Sequence, residues 1–453
     1  MSAELRLTDR QWYQLREHLL ADKSEHAAVL LCGTLAVPGG ILLTTRRVIP
    51  MTAVDLVDSS PLHLSISPVA LARVTKEARR EAGTIVLCHS HPWPGSSGPS
   101  SLDLETEADL CGRALAGRVT PRPVGALVLG PDAFSGRIWQ DGHAKEIGRL
   151  RIVGDQVVVL PEPVALPASD TVARQVLAWG NLGQSRLTTA NAAVVGAGGT
   201  GSQVALQLAH LGIGRLTLID FDTVERSNLS RLLGSTPADV GRSKVDVLAS
   251  AVRSVNPRLA TRVIPKSILD IDPLLLADVD VLICATDGHG SRAMLTELAQ
   301  QYLLPVVDLG VDVIPTELGI QAGGQVRVLR PGRGCLHCAG MLDPALVREE
   351  YLTDAERAEE ERRGYLRGVR APSPAVAALN GVVASLACLE VCQLLANFLG
   401  GASDRVLYRA HRRAVTTASI PCDPACYVCG VDGLLGLGDG RDLPVRQAVL
   451  MGD

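Results

Sequence analysis

The stretch Ala192-Ala-Val-Val-Gly196-Ala-Gly198-Gly199-Thr-Gly201-Ser202 is an apolar run, a glycine-rich turn and the opening of an Ala- and Leu-rich segment. A second apolar run follows, Arg215-Leu-Thr-Leu-Ile-Asp220. Strand, glycine turn, helix, strand is the signature of a parallel α/β sheet, because parallel neighbours need a crossover between them. Gly196, Gly198, Gly199 and Gly201 let the backbone approach a phosphate closely, and the helix start offers N–H groups to an anion. Asp220 closes the second strand 24 residues after Gly196, where a ribose-hydroxyl ligand is expected. Taken alone this is a dinucleotide fingerprint, and a nicotinamide-dependent oxidoreductase is its default reading.

The next strings change that reading. Asp220-Phe-Asp222-Thr-Val-Glu-Arg-Ser227-Asn228-Leu-Ser-Arg231 precedes Gly241-Arg-Ser-Lys244, and a third apolar run, Val281-Leu-Ile-Cys-Ala-Thr286-Asp287, ends in another acid. Hydride transfer does not call for Arg231, Lys244 and Asp287 around one nucleotide. Adenylation does, with cations neutralising a triphosphate and a carboxylate holding Mg2+. Together these strings resemble the ThiF/MoeB family, which also forms the core of ubiquitin-activating enzymes, over about residues 170–430. The resemblance implies a Rossmann-like adenylation domain that binds ATP and Mg2+. Asp220 would hold the ribose, Asn228, Arg231 and Lys244 the phosphates, and Asp287 the metal. Ala173-Arg174-Gln175 with Gly183-Gln184 fits the same family, in which the arginine reaches into the other subunit's active site. Arg174 therefore implies a homodimer and joins Arg231 and Lys244 as catalytic residues. Leu232 is a departure, since the family has Gln there.

Cys335-Leu-His-Cys338 and Cys426-Tyr-Val-Cys429 are two knuckles whose four thiolates would hold a structural Zn2+, with no position left open. Their wide separation is long for a zinc ribbon but matches the family. His337 is expected to face solvent, and Cys422 is a spare thiol. Some family members carry a thioester-forming cysteine ahead of the Pro-Ser…Asn helix. The segment Gly364–Asn380 has none, and Arg370 stands about where it would be. Cys388 and Cys392 read as core packing. The expectation is adenylation without self-thioesterification, with Cys422 as the alternative nucleophile.

In the first third, Thr84-Ile-Val-Leu-Cys88-His89-Ser-His91-Pro92 is an apolar strand ending in two histidines. Positions i and i+2 share a face, so both imidazoles can converge on one ion. Two His and one carboxylate, here Asp103, leave the open position of a catalytic Zn2+. Ser100-x-x-Asp103 fits a helix capping box equally well, and that needs no metal. The string HSHPWPGSSGPSSLD, preceded by Ser24-Glu25-His26-Ala27-Ala28-Val29-Leu30-Leu31-Cys32-Gly33, resembles the JAMM (JAB/MPN) metalloproteases over about the first 145 residues. That resemblance implies an α-β-α domain with His89, His91 and Asp103 as zinc ligands. Glu25 would be the general base and Ser100 the oxyanion donor. His91 and Asp103 stand one residue further apart than in the family's pattern, in a Pro/Gly/Ser loop able to absorb it.

Composition sets the outer limits. With 453 residues, 47% of them apolar, the chain can bury large cores, so whole-chain disorder is excluded. Lys plus Arg is 44 and Asp plus Glu 48, a net charge of −4 that offers no basic footprint for nucleic acid or a membrane surface. Eleven cysteines, an odd number, argue for thiols or metal sites over a disulfide scaffold. The N-terminus MSAELRLTDRQWYQLREHLL is charged throughout and carries no signal-peptide pattern, so a cytoplasmic location is expected. Ala371–Leu399 imitates a membrane span, but Asn380, Ser385, Glu390, Gln393 and Asn397 interrupt it, and a buried core helix is expected.

The expected organisation is a JAMM-type domain over 1–150, a proline-rich linker over 151–168, an adenylation domain over 169–430 and a tail over 431–453. Helices are expected over 9–21, 68–82 and 102–116, and the Glu- and Arg-rich stretch 346–370 reads as a solvated helix or mobile connection. The combined expectation is a bifunctional enzyme working on the C-terminus of a small ubiquitin-like or sulfur-carrier protein ending in Gly-Gly. One half would trim or release the tail and the other adenylate it, for thiocarboxylation by a separate sulfur donor. The alternative is activation and deconjugation in a bacterial-type conjugation system with a separate conjugating enzyme. Readings from other classes are the nicotinamide-dependent oxidoreductase and an inactive binding scaffold.

Overall fold

The computed structural model describes residues 2–60, 63–95, 98–119, 122–165, 167, 169–317, 319–363, 366 and 374–444. Arg370 lies outside the described residues.

The first part is built from β1 (Ser2–Thr8), β2 (Ala27–Val37), β3 (Gly40–Pro50), a small hairpin of β4 (Leu56–Ser60) and β5 (His63–Ile66), then β6 (Thr84–Ser90), β7 (Val124–Leu129), β8 (Phe134–Gln140), β9 (His143–Val153) and β10 (Val157–Leu160). Helices α1 (Asp9–Leu19), α2 (Pro68–Arg80), α3 (Ser101–Asp109) and α4 (Ala116–Val119) lie between them. The large sheet runs β1-β3-β2-β6-β7-β8-β9-β10, and β1 also pairs with β9, so the sheet curls round on itself. Strand alternation sorts the side chains. Leu5 and Leu7 of β1 and Val86 and Cys88 of β6 face inward onto Leu15 and Leu19 of α1. Ile85 and Leu87 face outward beneath α2 and the segment after α3. The helix expected over 102–116 instead widens into a π-type turn at Leu110–Leu115, which seats Gly112 directly against the Trp139 ring.

The second part contains β11 (Asn191–Val195), β12 (Arg215–Ile219), β13 (Ala260–Ile264), β14 (Val281–Cys284), β15 (Val306–Thr316), β16 (Gly319–Leu329), β17 (Arg405–Arg409) and β18 (Ala414–Ala418). Its helices are α5 (Ala173–Thr189), α6 (Gly199–Leu211), α7 (Lys244–Val255), α8 (His289–Gln301), α9 (Pro344–Tyr351), α10 (Asp354–Arg362) and α11 (Ala377–Ala396). The strand order is β13-β12-β11-β14-β15-β16-β17-β18, parallel as far as β15 and antiparallel beyond it. Among the described residues α11 alone is long and apolar enough to cross a membrane, and 61% of its most apolar window is buried inside the protein. Val383, Ala384, Ala387 and Val391 pack it into the core shared with α6 and the sheet, and Cys388 lies there too.

Buried arginines join the two parts. Arg6 donates to the carbonyls of Tyr302 (2.9 Å) and Ala277. Arg151 donates to the Val279 carbonyl at 2.6 Å, and both it and Arg149 lie 2.8 Å from Asp280. Asp280 in turn accepts from the Asn191 N–H at 2.7 Å. Burial raises the Glu4 carboxyl, but Arg151, Arg6 and Arg149 outweigh it and hold the pKa down at about 2. An anion is thus maintained among the guanidinium groups.

Two boundaries differ from the sequence expectation. The first sheet continues to Leu160, because β10 folds back antiparallel on β9 and takes in part of the stretch read as linker. The stretch read as a tail returns to the first sheet. The Gly436 carbonyl accepts from Thr44 Oγ1 at 3.0 Å and Arg46 Nε at 3.2 Å, and Leu443 packs in the cluster of Leu35 and Leu42. The Asp439 carboxylate accepts from Thr34 N–H at 2.9 Å and pairs with Arg46 and Arg122. Its side chain and that of Arg46 are each only 4% exposed. Asp439→Ala leaves the Arg46 guanidinium buried without its anion, a loss expected to cost about 3–5 kcal/mol. A lowered thermal midpoint in calorimetry checks this, and an unchanged midpoint would show that the segment adds no stability.

Candidate functional site

The C-terminal ends of β11, β12 and β14 gather the first constellation. Gly196 follows β11 with φ +97°, a left-handed turn that a side chain would strain. A Cβ at Gly201 would collide with the Gly196 carbonyl, so the turn closes tightly only with glycine at this position. Helix α6 begins at Gly199 with Gly198 as N-cap and no side-chain cap, which leaves its first N–H groups directed at the turn. Asp220, just past β12, accepts from Ala197 N–H at 2.6 Å and Asp222 N–H at 2.8 Å, so its carboxylate is braced at the turn's mouth. Lys244 opens α7 with Nζ 2.7 Å from Asp222 Oδ2. Arg231 donates to the Ser227 carbonyl at 2.9 Å, and its aliphatic stem lies against Gly199. Asn228 is buried and accepts from Glu225 N–H at 3.1 Å. Asp287 is exposed three residues past β14.

Arg174 does not join this cleft within one chain. It is exposed on α5, whose Gln175 donates to the His210 carbonyl in the last turn of α6, the opposite end from Gly199. Two residues escaped the sequence reading. Asn380 places its side-chain amide over Gly199, and its signal was a polar side chain in the first turn of an apolar helix. Glu350 caps α8 by accepting from His289 and Gly290 N–H, each at 2.9 Å, and Tyr351 donates to the Gly290 carbonyl at 3.0 Å. They belong to the stretch read as a solvated or mobile connection. That stretch forms α9 and α10, and α9 is fastened beside Asp287.

The four knuckle cysteines come together, with Sγ–Sγ distances of 3.8 Å (Cys335–Cys338), 3.7 Å (Cys335–Cys426) and 3.4 Å (Cys338–Cys429). Four soft thiol donors at this spacing fit one tetrahedral ion such as Zn2+. Cys422 Sγ lies 3.4 Å from Cys429 Sγ, so the spare thiol borders this cluster. His337, expected in solvent, is partly covered, with Nε2 3.0 Å from the Tyr427 hydroxyl.

The second constellation sits where β6 ends beside the start of α3. The ligand atoms of His89, His91 and Asp103 all lie within 4.8 Å of one another. His89 Nε2 is 3.5 Å from Asp103 Oδ1, and His91 Nε2 is 3.4 Å from Asp103 Oδ2 and 3.6 Å from Glu25 Oε1. The capping box is present as well. Ser100 Oγ accepts from Asp103 N–H at 3.1 Å, while Asp103 Oδ2 accepts from Ser100 N–H and Oγ, each at 2.7 Å. The cap and the cluster coexist, and the cap fixes where the carboxylate points. Burial raises the Asp103 carboxyl, but His89 and the hydrogen bonds from Ser100 outweigh it and hold it well below the usual range. Burial, with His89 beside it, lowers His91 and favours the neutral imidazole that a metal requires. His89 Nε2 is buried without a hydrogen-bond partner. A buried ring nitrogen that makes no hydrogen bond and faces a second imidazole and an anionic carboxylate fits a bound divalent ion.

The two constellations lie in different parts of the protein. One contact between the parts runs through β1 and β9 on one side and the N-terminal ends of β11 and β14 on the other, marked by Asn191 and Asp280. The glycine turn crowns the opposite ends of those same strands. The histidine cluster lies on the α3 side of the first sheet, remote from β1 and β9.

The chain is 31% identical over 253 residues to the molybdopterin-synthase adenylyltransferase of Escherichia coli, covering 55% of this chain and 90% of that protein. It is 28% identical over 263 residues to the SAMP-activating enzyme E1 of Haloferax volcanii, covering 57% and 86%. A solved structure of E. coli MccB with ATP is 22% identical with a TM-score of 0.45, over 58% of this chain and 75% of that one. The ThiF family's sequence profile matches residues 172–427, which take in the whole second sheet, the first cysteine knuckle and Cys426 of the second. The chain therefore belongs to the ThiF family.

Proposed function

We propose that the second part adenylates the C-terminal carboxylate of a small ubiquitin-like or sulfur-carrier protein ending in Gly-Gly. The observation that carries this is the meeting, at one end of a parallel sheet, of an uncapped helix start with Arg231 and Lys244. Such donors neutralise a triphosphate and the charge that develops as the carboxylate attacks the α-phosphorus. Asp220 holds the ribose, and Asp287 supplies the oxygen ligand that Mg2+ prefers. Arg174 completes the cleft of a partner subunit in a homodimer. Family membership and the adenylyltransferase name of the E. coli relative support this reading. The test is ATP–pyrophosphate exchange with candidate Gly-Gly carriers. Absence of exchange with every carrier sinks the reading, and NADH-dependent absorbance would favour the oxidoreductase.

Thiocarboxylation by a separate sulfur donor is the outcome we favour over conjugation. Burial pushes the thiols of Cys32, Cys111, Cys284 and Cys392 up to about 12, so they stay protonated at neutral pH. Cys284, at the end of β14 nearest the cleft, is 1% exposed and out of reach of a carrier tail.

The histidine cluster favours a second activity, trimming or release of the carrier's tail by a JAMM-type peptidase. A Zn2+ held by His89, His91 and Asp103 would supply an acidified water. Glu25, buried 3.6 Å from His91, takes the proton and returns it to the leaving amine. The Ser100 hydroxyl, held in the cap, fixes Asp103 and can turn to a developing oxyanion. Glu25→Gln and Asp103→Asn are each expected to abolish cleavage of a carrier extended beyond Gly-Gly, while exchange with the mature carrier continues. Cleavage surviving both substitutions overturns the peptidase assignment.

A further inference from the structure

Asn380 stands in the first turn of α11, between Ala377, Ala378 and Leu379 on one side and Gly381 and Val382 on the other, and is 5% exposed. A polar side chain buried in an apolar helix is costly unless something engages it. Its backbone N–H reaches the Val376 carbonyl at 3.0 Å, but no side-chain hydrogen bond among the described residues uses its carboxamide. The amide nitrogen instead lies directly over Gly199, so close that any Cβ at that position would collide with it. The stem of Arg231 approaches the same Gly199 from its own side.

The placement is held from beneath. Gln203, in the second turn of α6, donates to the Ala377 carbonyl at 2.9 Å, and Gly381 leaves room for the Gln203 amide between the helices. The first turns of α6 and α11 are thus fastened to each other. Val376, the N-cap of α11, has no side-chain cap. A neutral donor, a guanidinium stem and the uncapped start of α6 therefore converge on Gly199.

We propose that the Asn380 carboxamide is a phosphate ligand, donating its N–H to the triphosphate chain of the bound nucleotide above Gly199. This rests on the reading of the cleft as an ATP site and adds to it a contact from α11. The side chain then has a reason to be polar where its neighbours are Ala and Leu: its partner arrives with the nucleotide. Because the donor is uncharged, it orients the chain of phosphates without adding to the charge that Arg231 and Lys244 already provide.

The test is calorimetric titration of the full chain with Mg·ATP and, separately, with adenosine, in the absence of any carrier. Asn380→Leu keeps the number and branching of side-chain heavy atoms and suits the apolar helix, so it is the primary variant, and Asn380→Asp is the second. Loss of a hydrogen bond to a charged group predicts roughly 10- to 100-fold weaker ATP binding in Asn380→Leu. Asn380→Asp should bind ATP more weakly still, through like-charge repulsion. Adenosine, which lacks phosphates, should bind both variants as it binds the wild type. ATP binding at wild-type strength in either variant overturns the proposal. So does a parallel loss of adenosine and ATP binding, which would mark a packing role. If the wild type itself binds no ATP, the reading of the cleft has failed and the Asn380 contact falls with it.

Discussion

Lys244→Ala is expected to lower the turnover of ATP–pyrophosphate exchange by about 10²- to 10³-fold, the scale seen when one preorganised charge-stabilising donor is removed. The side chain is 11% exposed and its Nζ lies 2.7 Å from Asp222 Oδ2. On the proposed reading its removal takes a cation from the phosphates, and it also leaves the Asp222 carboxylate without its ion-pair partner. Both changes act in the same direction. Lys244→Arg should restore only part of the rate, because a planar guanidinium on a different stem cannot reproduce the position of the ammonium. Backbone order should survive, since the Lys244 N–H still reaches the Asp222 carbonyl, at 3.0 Å. Exchange within a few-fold of wild type would mean that the pair at the start of α7 is structural only.

Cys335→Ser is expected to remove bound zinc and unfold much of the second part. Structural zinc contributes about 10–16 kcal/mol of apparent binding free energy in small zinc-dependent folds, comparable to or larger than the whole stability of an ordinary domain. Here the knuckles tie the loop after β16 to the segment after β18. Cys335, Val428, Cys429 and Leu434 form their own small apolar cluster around the thiols. Metal content and thermal unfolding, with and without a chelator, provide the measurement. Cys422→Ser is the control and should retain the metal, since the other four thiols complete the tetrahedron. Equal midpoints for the wild type, Cys335→Ser and the chelated protein would show that the thiol cluster carries no metal that matters to folding.

Much of this was legible in the sequence where chemistry fixes spacing. The glycine turn, Asp220 and the two cysteine knuckles are local strings whose geometry leaves little freedom, and the structure brings each set together. The pair His89 and His91 was readable for the same reason, as a strand puts i and i+2 on one face. What could not be read depends on long-range packing. Glu350 looks like any other residue of a charged stretch until α9 docks on α8, and Asn380 looks like an interruption of an apolar run until α11 meets α6. The stretch after residue 431 has the composition of a tail, and only the partners waiting in the first sheet, Arg46 and Arg122, make Asp439 a clasp. The π-type turn after α3 likewise answers to Trp139, some 27 residues downstream of Gly112.

The seating of the first sheet against the N-terminal ends of β11 and β14 carries a kinetic consequence. The glycine turn lies at the far ends of those strands from the contacts with the first part, so on the proposed pair of activities a carrier trimmed in one part has to be released before the other takes it up. Joining the two parts in one polypeptide then secures equal copy number and a raised local concentration. Mature carrier already free in the surroundings would compete at the adenylation cleft with carrier that has just been trimmed.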